Sequence, residues 1–417
     1  MKYQLTFFFS LLFLFVFSCK NEKKTGAQQD GTKNHSTIKQ LKVPSRQGGE
    51  PNLVADKNGG VYLSWVEYAD DTTDVLVYSK LTANGWDQPE EIARGSDWFV
   101  NWADFPSLVI YDDGAMAAHW LQISAAGTYD YDVMVSQKTN AASGWGKPFK
   151  LNQDGVAAEH GFVSMIPAAE GKIFAAWLDG RNTKSGGDGD GGHGHGHGGA
   201  MTIRAAFFDQ TGRLSNDTEL DNRTCDCCQT SAVGTSDGGV LVAYRDRSED
   251  EVRDIYFTKM KDGKWSAPQP VFADNWKITG CPVNGPSLAA TGGKAVIAWF
   301  TAANKSPKAN IAFSNDNGDT FGLPIRFDDG EPAGRIDVLM LNANEALVSW
   351  LENTEDGAEI RAKKIKGNGQ MEASFLVAKT SPSRASGFPR MVAANGKIIF
   401  AWTGVEGDST FIKSGAL

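Results

Sequence analysis

An apolar run that closes on an aromatic residue recurs seven times along this 417-residue chain, and its spacing restricts the possible folds severely. The closing residues are Trp65, Trp120, Trp177, Tyr244, Trp299, Trp350 and Trp402. Subtracting neighbouring numbers gives steps of 55, 57, 67, 55, 51 and 52 residues. A period near 50 indicates an array of similar units rather than one two-layer domain. Each unit reads as four short strands, which is the strand count of a propeller blade.

The first unit shows the four strands most clearly, with alternating polarity and β-branched or aromatic enrichment in each. Its strands are expected at 51–56, 60–67, 74–80 and 86–93. The last unit has only three strands before the chain stops, and residues 37–44 can supply the fourth. The sequence therefore predicts an all-β fold over 38–417, a single seven-bladed β-propeller domain with four antiparallel strands per blade, closed with an N-terminal strand. Six blades with irregular ends is the alternative.

The N-terminus resembles a bacterial lipoprotein signal. Lys2 precedes the apolar run Phe7–Phe17, which is short for a membrane span and ends at Ser18–Cys19. This resemblance implies a signal peptide over 1–18, lipidation of Cys19 and a flexible polar tether over 19–37. The alternative is an ordinary signal peptide cleaved nearby. Both interpretations place the mature chain outside the cytoplasm, and the lipoprotein interpretation attaches it to a bacterial membrane, with the outer membrane favoured.

Composition narrows the class of partner. The formal net charge is −9, and no long Lys/Arg stripe occurs, so a nucleic-acid-binding surface is not expected. With 41% hydrophobic residues the chain can fill the cores between blades, and its 46 glycines suit many tight turns.

One turn carries a recognisable motif, formed by Ser314, Asp316, Gly318, Thr320 and Phe321. It resembles the Asp-box, S-x-D-x-G-x-T-[WF], of the sialidase (neuraminidase) superfamily, whose members carry it as a BNR repeat. The Asp caps a tight turn, the Gly supplies a positive φ angle and the aromatic residue pins the hairpin. Degraded copies lie at Thr82–Trp86, Thr139–Trp145 and Lys261–Trp265. The resemblance implies a sialidase-like propeller.

The catalytic motifs of sialidases are missing. That family uses an arginine triad, an Asp acid/base and a Tyr nucleophile activated by Glu. No F-R-I-P sequence opens the first unit, where residues 46–51 read R-Q-G-G-E-P instead, and no tyrosine follows Tyr256. The resemblance thus transfers the fold and the face of the site, but no catalytic residue.

Four cysteines point to a site. Cys225, Cys227 and Cys228 precede the first strand of blade 4, and Cys281 precedes the first strand of blade 5. Equivalent positions in adjacent blades should bring these thiols together at one face of the ring. Two disulfides are one interpretation, because the mature chain would lie in an oxidising compartment. A thiolate metal site is the other, although C-x-C-C is not the C-x-x-C spacing usual for structural zinc.

A glycine- and histidine-rich insertion over 185–201 falls in the second-to-third-strand loop of blade 3, which would lie at the same face. His193, His195 and His197 alternate with glycine, so the backbone can wrap around an ion. Imidazole suits Cu(II), Zn(II) and Ni(II), while thiolates favour Cu(I) or zinc, so copper or zinc is the expected cofactor. The alternative is a solvated low-complexity loop with incidental metal affinity.

Charged and aromatic residues are also expected at this face. The catalytic candidates are Asp179, Arg181, Arg245, Asp246 and Arg247, and the ligand-binding candidates are Trp98, Trp102, Arg46 and Arg335. The two tryptophans can stack on a sugar ring, and clustered arginines favour an anionic ligand such as an anionic carbohydrate. Alternatively, Arg–Asp pairs simply lock neighbouring loops together. His119, within a second strand, and the seven closing aromatic residues are expected in the core.

These residues support two classes of function. The first is a lipid-anchored, extracytoplasmic protein that binds or handles a metal ion through its Cys/His-rich channel mouth. The second is a glycan-active hydrolase, exo-sialidase-like in fold, with a rearranged active site. A redox enzyme that uses a Cys-ligated metal is a third possibility.

Overall fold

The computed structural model describes residues 38–140, 142–184 and 199–417. The described chain forms seven antiparallel sheets arranged as the blades of a propeller ring. It contains no α-helix in those ranges, only three short 3₁₀ turns, at Ala169–Gly171, Arg181–Lys184 and Ala303–Lys305. Within these ranges, no helix is long and apolar enough to span a membrane.

The strands follow the repeat seen in the sequence, and the first, β1 (Lys39–Leu41), stands apart from blade 1. Blade 1 is β2 (Gly48–Ala55), β3 (Val61–Tyr68), β4 (Asp74–Thr82), β5 (Gly85–Trp86) and β6 (Glu90–Gly95). Blade 2 is β7 (Ser107–Ile110), β8 (Met116–Ile123), β9 (Tyr131–Lys138) and β10 (Phe149–Lys150). Blade 3 is β11 (His160–Ala168), β12 (Lys172–Asp179), β13 (Thr202–Asp209) and β14 (Leu214–Asp221).

The second half continues in the same way. Blade 4 is β15 (Ser231–Gly234), β16 (Val240–Arg245), β17 (Ile255–Lys261), β18 (Lys264–Trp265) and β19 (Gln269–Pro270). Blade 5 is β20 (Ser287–Thr291), β21 (Lys294–Thr301), β22 (Lys308–Ser314) and β23 (Ile325–Arg326). Blade 6 is β24 (Pro332–Asn342), β25 (Glu345–Thr354), β26 (Gly357–Lys366) and β27 (Phe375–Thr380). Blade 7 is β28 (Gly387–Ala394), β29 (Lys397–Glu406) and β30 (Ser409–Ala416), completed by β1.

The ring is closed by strands from both ends of the described chain. Strand β1 pairs antiparallel with β30, with Lys39 opposite Ala416 and Leu41 opposite Ser414. This pairing covers the edge that β30 would otherwise expose. The predicted seven blades and N-terminal closing strand are confirmed, and the six-bladed alternative is wrong.

The core lies between neighbouring blades. One cluster, for example, joins Val133 and Val135 of blade 2 to Ile173 and Trp177 of blade 3. The closing tryptophans are buried as predicted, and Trp65, Trp177, Trp299 and Trp350 are completely inaccessible to solvent. His119 is also fully buried, and burial lowers its pKa to about 3, so it is a neutral core residue.

The turn between β22 and β23 has the local contacts expected from its sequence. Asp316 accepts hydrogen bonds from the Thr320 amide (3.0 Å) and hydroxyl (2.6 Å), and Gly318 has a φ of 84°. Phe321 packs edge-on against Phe257 of the neighbouring blade, with ring centroids 5.1 Å apart. Side-chain capping and interblade packing thus hold this hairpin in place.

Four innermost strands begin with the same irregularity. In β2, β11, β24 and β28 the pairing register shifts near the start of the strand, where a non-glycine residue adopts a left-handed backbone conformation. These residues are Glu50, Phe162, Arg335 and Phe388. Such bulges re-aim side chains where a strand begins. We call the end of the ring where the innermost strands begin the channel rim.

Candidate metal centre

The four cysteine side chains converge at the channel rim. Cys225, Cys227 and Cys228 lie in the turn between β14 and β15, and Cys281 precedes β20 in the adjacent blade. The Sγ atom of Cys225 is 3.7 Å from that of Cys227 and 3.6 Å from that of Cys228. Ligand atoms of Cys227, Cys281 and Asp226 also lie within 4.8 Å of one another. The structure therefore brings together the four thiols, as predicted from their equivalent positions in adjacent blades.

No disulfide links these cysteines, since all four are free thiols. The disulfide interpretation of the sequence is therefore not supported by the structure. The sulfur separations instead fit a shared ion, because two thiolates bound tetrahedrally at about 2.3 Å lie about 3.8 Å apart. Cys225, Cys227 and Cys228 are buried, whereas Cys281 is exposed.

The surroundings of the thiols are strongly charged. Burial raises the pKa of Cys225 to about 11, with a lowering contribution from Arg253. The buried Arg253 places Nη1 3.3 Å from the Cys225 Sγ and 3.6 Å from Asp226 Oδ1. The positive charge of Arg253, fixed between the Cys225 sulfur and the Asp226 carboxylate, stabilises the thiolate form of the cysteines once a bound metal has displaced their protons.

The Glu159 carboxyl group and its hydrogen-bond partner Tyr131 also lie near the thiols. The Tyr131 hydroxyl donates to Glu159 Oε1 at 3.0 Å. Burial raises the pKa of Glu159 to about 8, and the nearby Asp226 and Cys281 raise it further by repulsion. Glu159 thus shares the electrostatic environment of the cysteines, and sequence inspection gave no signal for it.

A second group with metal-ligand residue types contains Asp154, His160 and Asp179. His160 Nε2 is 3.0 Å from Asp154 Oδ2. Arg181 already supplies a cation there, with Nε 2.7 Å from Asp179 Oδ1 and 3.1 Å from Asp154 Oδ2. The Trp177 indole N–H also donates to Asp179 at 2.8 Å. In this structure Asp179 and Arg181 therefore hold the loop after β12 together.

The other arginine candidates are also engaged by the protein. Arg245 is 1% exposed and donates to the backbone carbonyls of Asn284, Arg253 and Phe300. Arg247 donates to Glu251 at 2.6 Å.

Asp246 follows β16. Burial, with repulsion from Asp221, raises its pKa to about 7. Asp246 remains a candidate proton donor, whereas Arg245 uses its N–H groups in hydrogen bonds to backbone carbonyl groups.

The aromatic ligand-binding candidates lie at a cavity but have covered faces. Trp98 stacks on Trp120 with centroids 5.4 Å apart. The guanidinium carbons of Arg335 and Arg384 each lie 5.8 Å from the Trp102 ring centroid. A sugar could stack on these rings only after rearrangement of the neighbouring groups.

Arg335 and Arg46 differ in their surroundings. Arg335 donates to the carbonyls of Ser383 and Ser386, and burial lowers its pKa to about 10. Arg46 is exposed, and its backbone amide donates to Glu67 at 3.2 Å.

The candidates Trp98 and Trp102 line a cavity between blades 1, 2 and 7, and the sequence reasoning missed the acidic residues beside them. An open cavity of about 510 Å³ is lined by Glu50, Tyr68, Asp74, Trp98, Val100, Asn101, Trp102, Ala385, Thr403 and Thr410. The Tyr68 hydroxyl donates to Glu50 Oε1 at 3.1 Å, and burial raises the pKa of Glu50 to about 8. For Glu50 itself the sequence signal was the Gly48-Gly49-Glu50 run before a strand, since glycines there suggest a bulge.

Two parts of the sequence interpretation concern residues outside the described ranges. They are the histidine loop, with His193, His195 and His197, and the N-terminal segment, with Cys19. Both remain predictions.

Comparison with known proteins supports the fold. No protein-family model matches the chain, and no curated protein matches it. Among solved structures, a protein of unknown function from Dyadobacter fermentans is similar at 17% identity and a TM-score of 0.51, covering 91% of this chain and 97% of that chain. Polysaccharide lyase Uly1 is similar at 12% identity and a TM-score of 0.53, covering 90% of both chains. At these identities the likeness concerns the β-propeller fold, which the lyase also has.

Proposed function

We propose that this protein binds a soft metal ion, copper or zinc, through the thiols of Cys225, Cys227, Cys228 and Cys281 at the channel rim. The observation that carries the proposal is that the Cys225 sulfur lies 3.7 Å from the Cys227 sulfur and 3.6 Å from the Cys228 sulfur, all three buried and none joined by a disulfide. Thiolate ligands suit Cu(I) and Zn(II), and the buried Arg253 offsets part of their negative charge.

Metal analysis of the purified protein tests this function. We expect bound copper or zinc in the wild type and at least about a tenfold weaker affinity in Cys227→Ser, since removing a ligand breaks the shared coordination. Thr279→Ala, which changes an exposed residue near Cys281, is the matched control and should keep its metal. Metal-free wild-type protein after anaerobic reconstitution with Cu(I) and with Zn(II) would refute the proposal.

The N-terminal sequence supports a proposal for the cellular setting. Lipidation of Cys19 would attach the domain to a bacterial membrane by a tether over 19–37, outside the cytoplasm. His193, His195 and His197 would add imidazole ligands near the same face. Cys19→Ser should shift the protein from the membrane to the soluble fraction, and an unchanged membrane fraction would contradict lipid attachment.

A second candidate function, glycan hydrolysis, is favoured by the cavity at Glu50. Because burial raises the pKa of Glu50 to about 8, its carboxyl group is largely protonated at neutral pH and can donate a proton. Tyr68 lies against it, and Asp74, whose pKa burial also raises, lines the same cavity. A protonated acid beside a second carboxyl group is the pairing that glycosidases use.

Turnover of fluorogenic glycosides, including a sialoside, tests this second function. Glu50→Gln should lower kcat by at least about a hundredfold, since it removes the acid proton. Asp70→Asn, at an exposed acid in the neighbouring β3–β4 loop, should retain full activity. Equal turnover by wild type and Glu50→Gln would place any activity elsewhere.

A further inference from the structure

The potential metal ligands form two overlapping groups rather than one. The first group consists of the sulfurs of Cys225, Cys227 and Cys228, and the second of Cys227, Cys281 and an Asp226 carboxylate oxygen. Cys227 is the only residue in both groups. Within the second group, the Cys281 sulfur lies 4.0 Å from Asp226 Oδ1.

The two groups differ in donors and in exposure. The first has three sulfurs, all buried in the core cluster that packs between blades 3 and 4. The second has two sulfurs and one oxygen, and its Cys281 is exposed. A carboxylate is a good ligand for Zn(II) and a poor one for Cu(I), whereas thiolates suit both. Zinc is therefore the ion that both groups accept.

Charge balance also favours two ions. Four thiolates and the Asp226 carboxylate carry five negative charges, and one Zn²⁺ cancels only two of them. A second Zn²⁺ leaves a single negative charge, which the buried Arg253 can offset from its position beside Cys225 and Asp226. A buried charge without compensation is costly, so the doubly occupied site is the better balanced one.

We infer that Cys227 bridges two zinc ions: an inner ion held by Cys225, Cys227 and Cys228, and an outer ion held by Cys227, Cys281 and Asp226. This inference rests on the proposed metal-binding function and adds the number of ions, their ligands and their accessibility. Three protein ligands leave the outer ion an open coordination position at the exposed side of the cluster. The outer ion is the one that can exchange with solution or receive a ligand.

Zinc titration of the full chain under anaerobic, reducing conditions tests this inference. A background variant with His193, His195 and His197 changed to alanine removes the histidine loop as a competing site. Competition with a chromophoric zinc chelator should then give two zinc ions per chain, released in two phases. Cys281→Ser and Asp226→Asn should each bind one ion and lose the faster phase.

Two further variants complete the test. Thr279→Ala and Asp250→Asn alter exposed residues outside both groups and should still bind two ions.

Substitution with Co(II) reports the ligands directly, since Cys281→Ser should reduce the sulfur-to-cobalt charge-transfer absorption while the inner-site signal remains.

The outcomes separate the two proposals. One zinc ion per wild-type chain, lost equally in Cys225→Ser and Cys281→Ser, would indicate a single four-sulfur site and overturn the bridged pair. The metal-binding function would survive that result. Absence of thiol-dependent zinc and cobalt binding would overturn the bridged zinc pair, and absence of Cu(I) binding as well would also overturn the metal-binding function.

Discussion

Tryptophan and acid side chains at the ends of the second strands form a recurrent contact. The indole N–H of Trp65 donates to Glu67 at 3.2 Å, and that of Trp177 donates to Asp179 at 2.8 Å. Trp350 and Glu352 form the same pair at 2.5 Å. A buried indole N–H needs an acceptor, and an acid two residues further along the strand supplies one. Asp179 is therefore held by structural contacts with Trp177 and Arg181.

Glu50 makes stability depend on pH. Burial raises its pKa to about 8 from the ordinary 4.5, so the folded chain holds a proton that the unfolded chain releases. Its stabilising contribution is complete below about pH 4.5 and is lost as the pH rises through about 8. We expect the free energy of unfolding in urea to fall by at least about 2 kcal/mol between pH 5 and pH 8.

Glu50→Gln should reduce that fall, because glutamine does not titrate. Asp70→Asn should leave the fall between pH 5 and pH 8 unchanged, because hydrogen bonds from Thr72 lower the pKa of the exposed Asp70, which is ionised throughout that range. A Glu50→Gln profile that parallels the wild type would show that Glu50 does not hold its proton in the folded state.

Residue-level prediction from sequence succeeded where a pattern repeats and failed where a contact is tertiary. The closing tryptophans were predicted as core because each completes an apolar run. The convergence of the cysteines followed from equivalent positions in adjacent blades. The Glu50–Tyr68 pair joins residues 18 positions apart across a bulge, and neither residue belongs to a repeated motif. No local signal could assign the raised pKa of Glu50, since it comes from burial in the folded ring.

At the level of elements, the bulges at the starts of the innermost strands position the rim. In β11 the bulge aims the Phe162 amide at Asp104, whose Oδ1 accepts its hydrogen bond at 2.8 Å. Burial raises the pKa of Asp104 to about 7. Gly161 allows this approach, because a Cβ atom there would lie 2.0 Å from Asp104 Oδ2. Sequence periodicity predicted the strand, but the bulge depends on a residue from the preceding blade.

Gly161→Ala should therefore destabilise the fold by at least about 2 kcal/mol, since the added methyl group displaces a buried carboxyl group. Gly234→Ala in β15 is the matched control, because its added Cβ meets no atom within 4 Å. Denaturant unfolding of both variants measures the difference. Equal stability would mean that the β11 bulge adjusts without cost.

At the level of the whole molecule, the closing pair β1 and β30 completes the seventh blade. Leu41 of β1 packs against the cluster that joins blades 7 and 1, so the strand contributes side-chain contacts as well as hydrogen bonds. The sequence indicated this closure because the last unit lacked a strand. It could not indicate the exact pairing, which depends on the completed ring.

A chain that begins at residue 42 should be less stable than one that begins at residue 38, because it lacks β1. We expect a loss of at least about 2 kcal/mol and self-association through the uncovered edge of β30. Thermal unfolding and size-exclusion chromatography of the two chains measure these effects. Two monomeric chains with the same Tm would show that β1 does not secure the ring.

The pairing of Lys39 with Ala416 also has a consequence for biogenesis. A ribosome makes the first partner long before the last, so the domain cannot reach its native topology until synthesis is nearly finished. Contacts this distant in sequence slow folding, and incomplete chains remain exposed to aggregation in the meantime. The partly assembled blades would therefore need protection from aggregation until the final strand arrives.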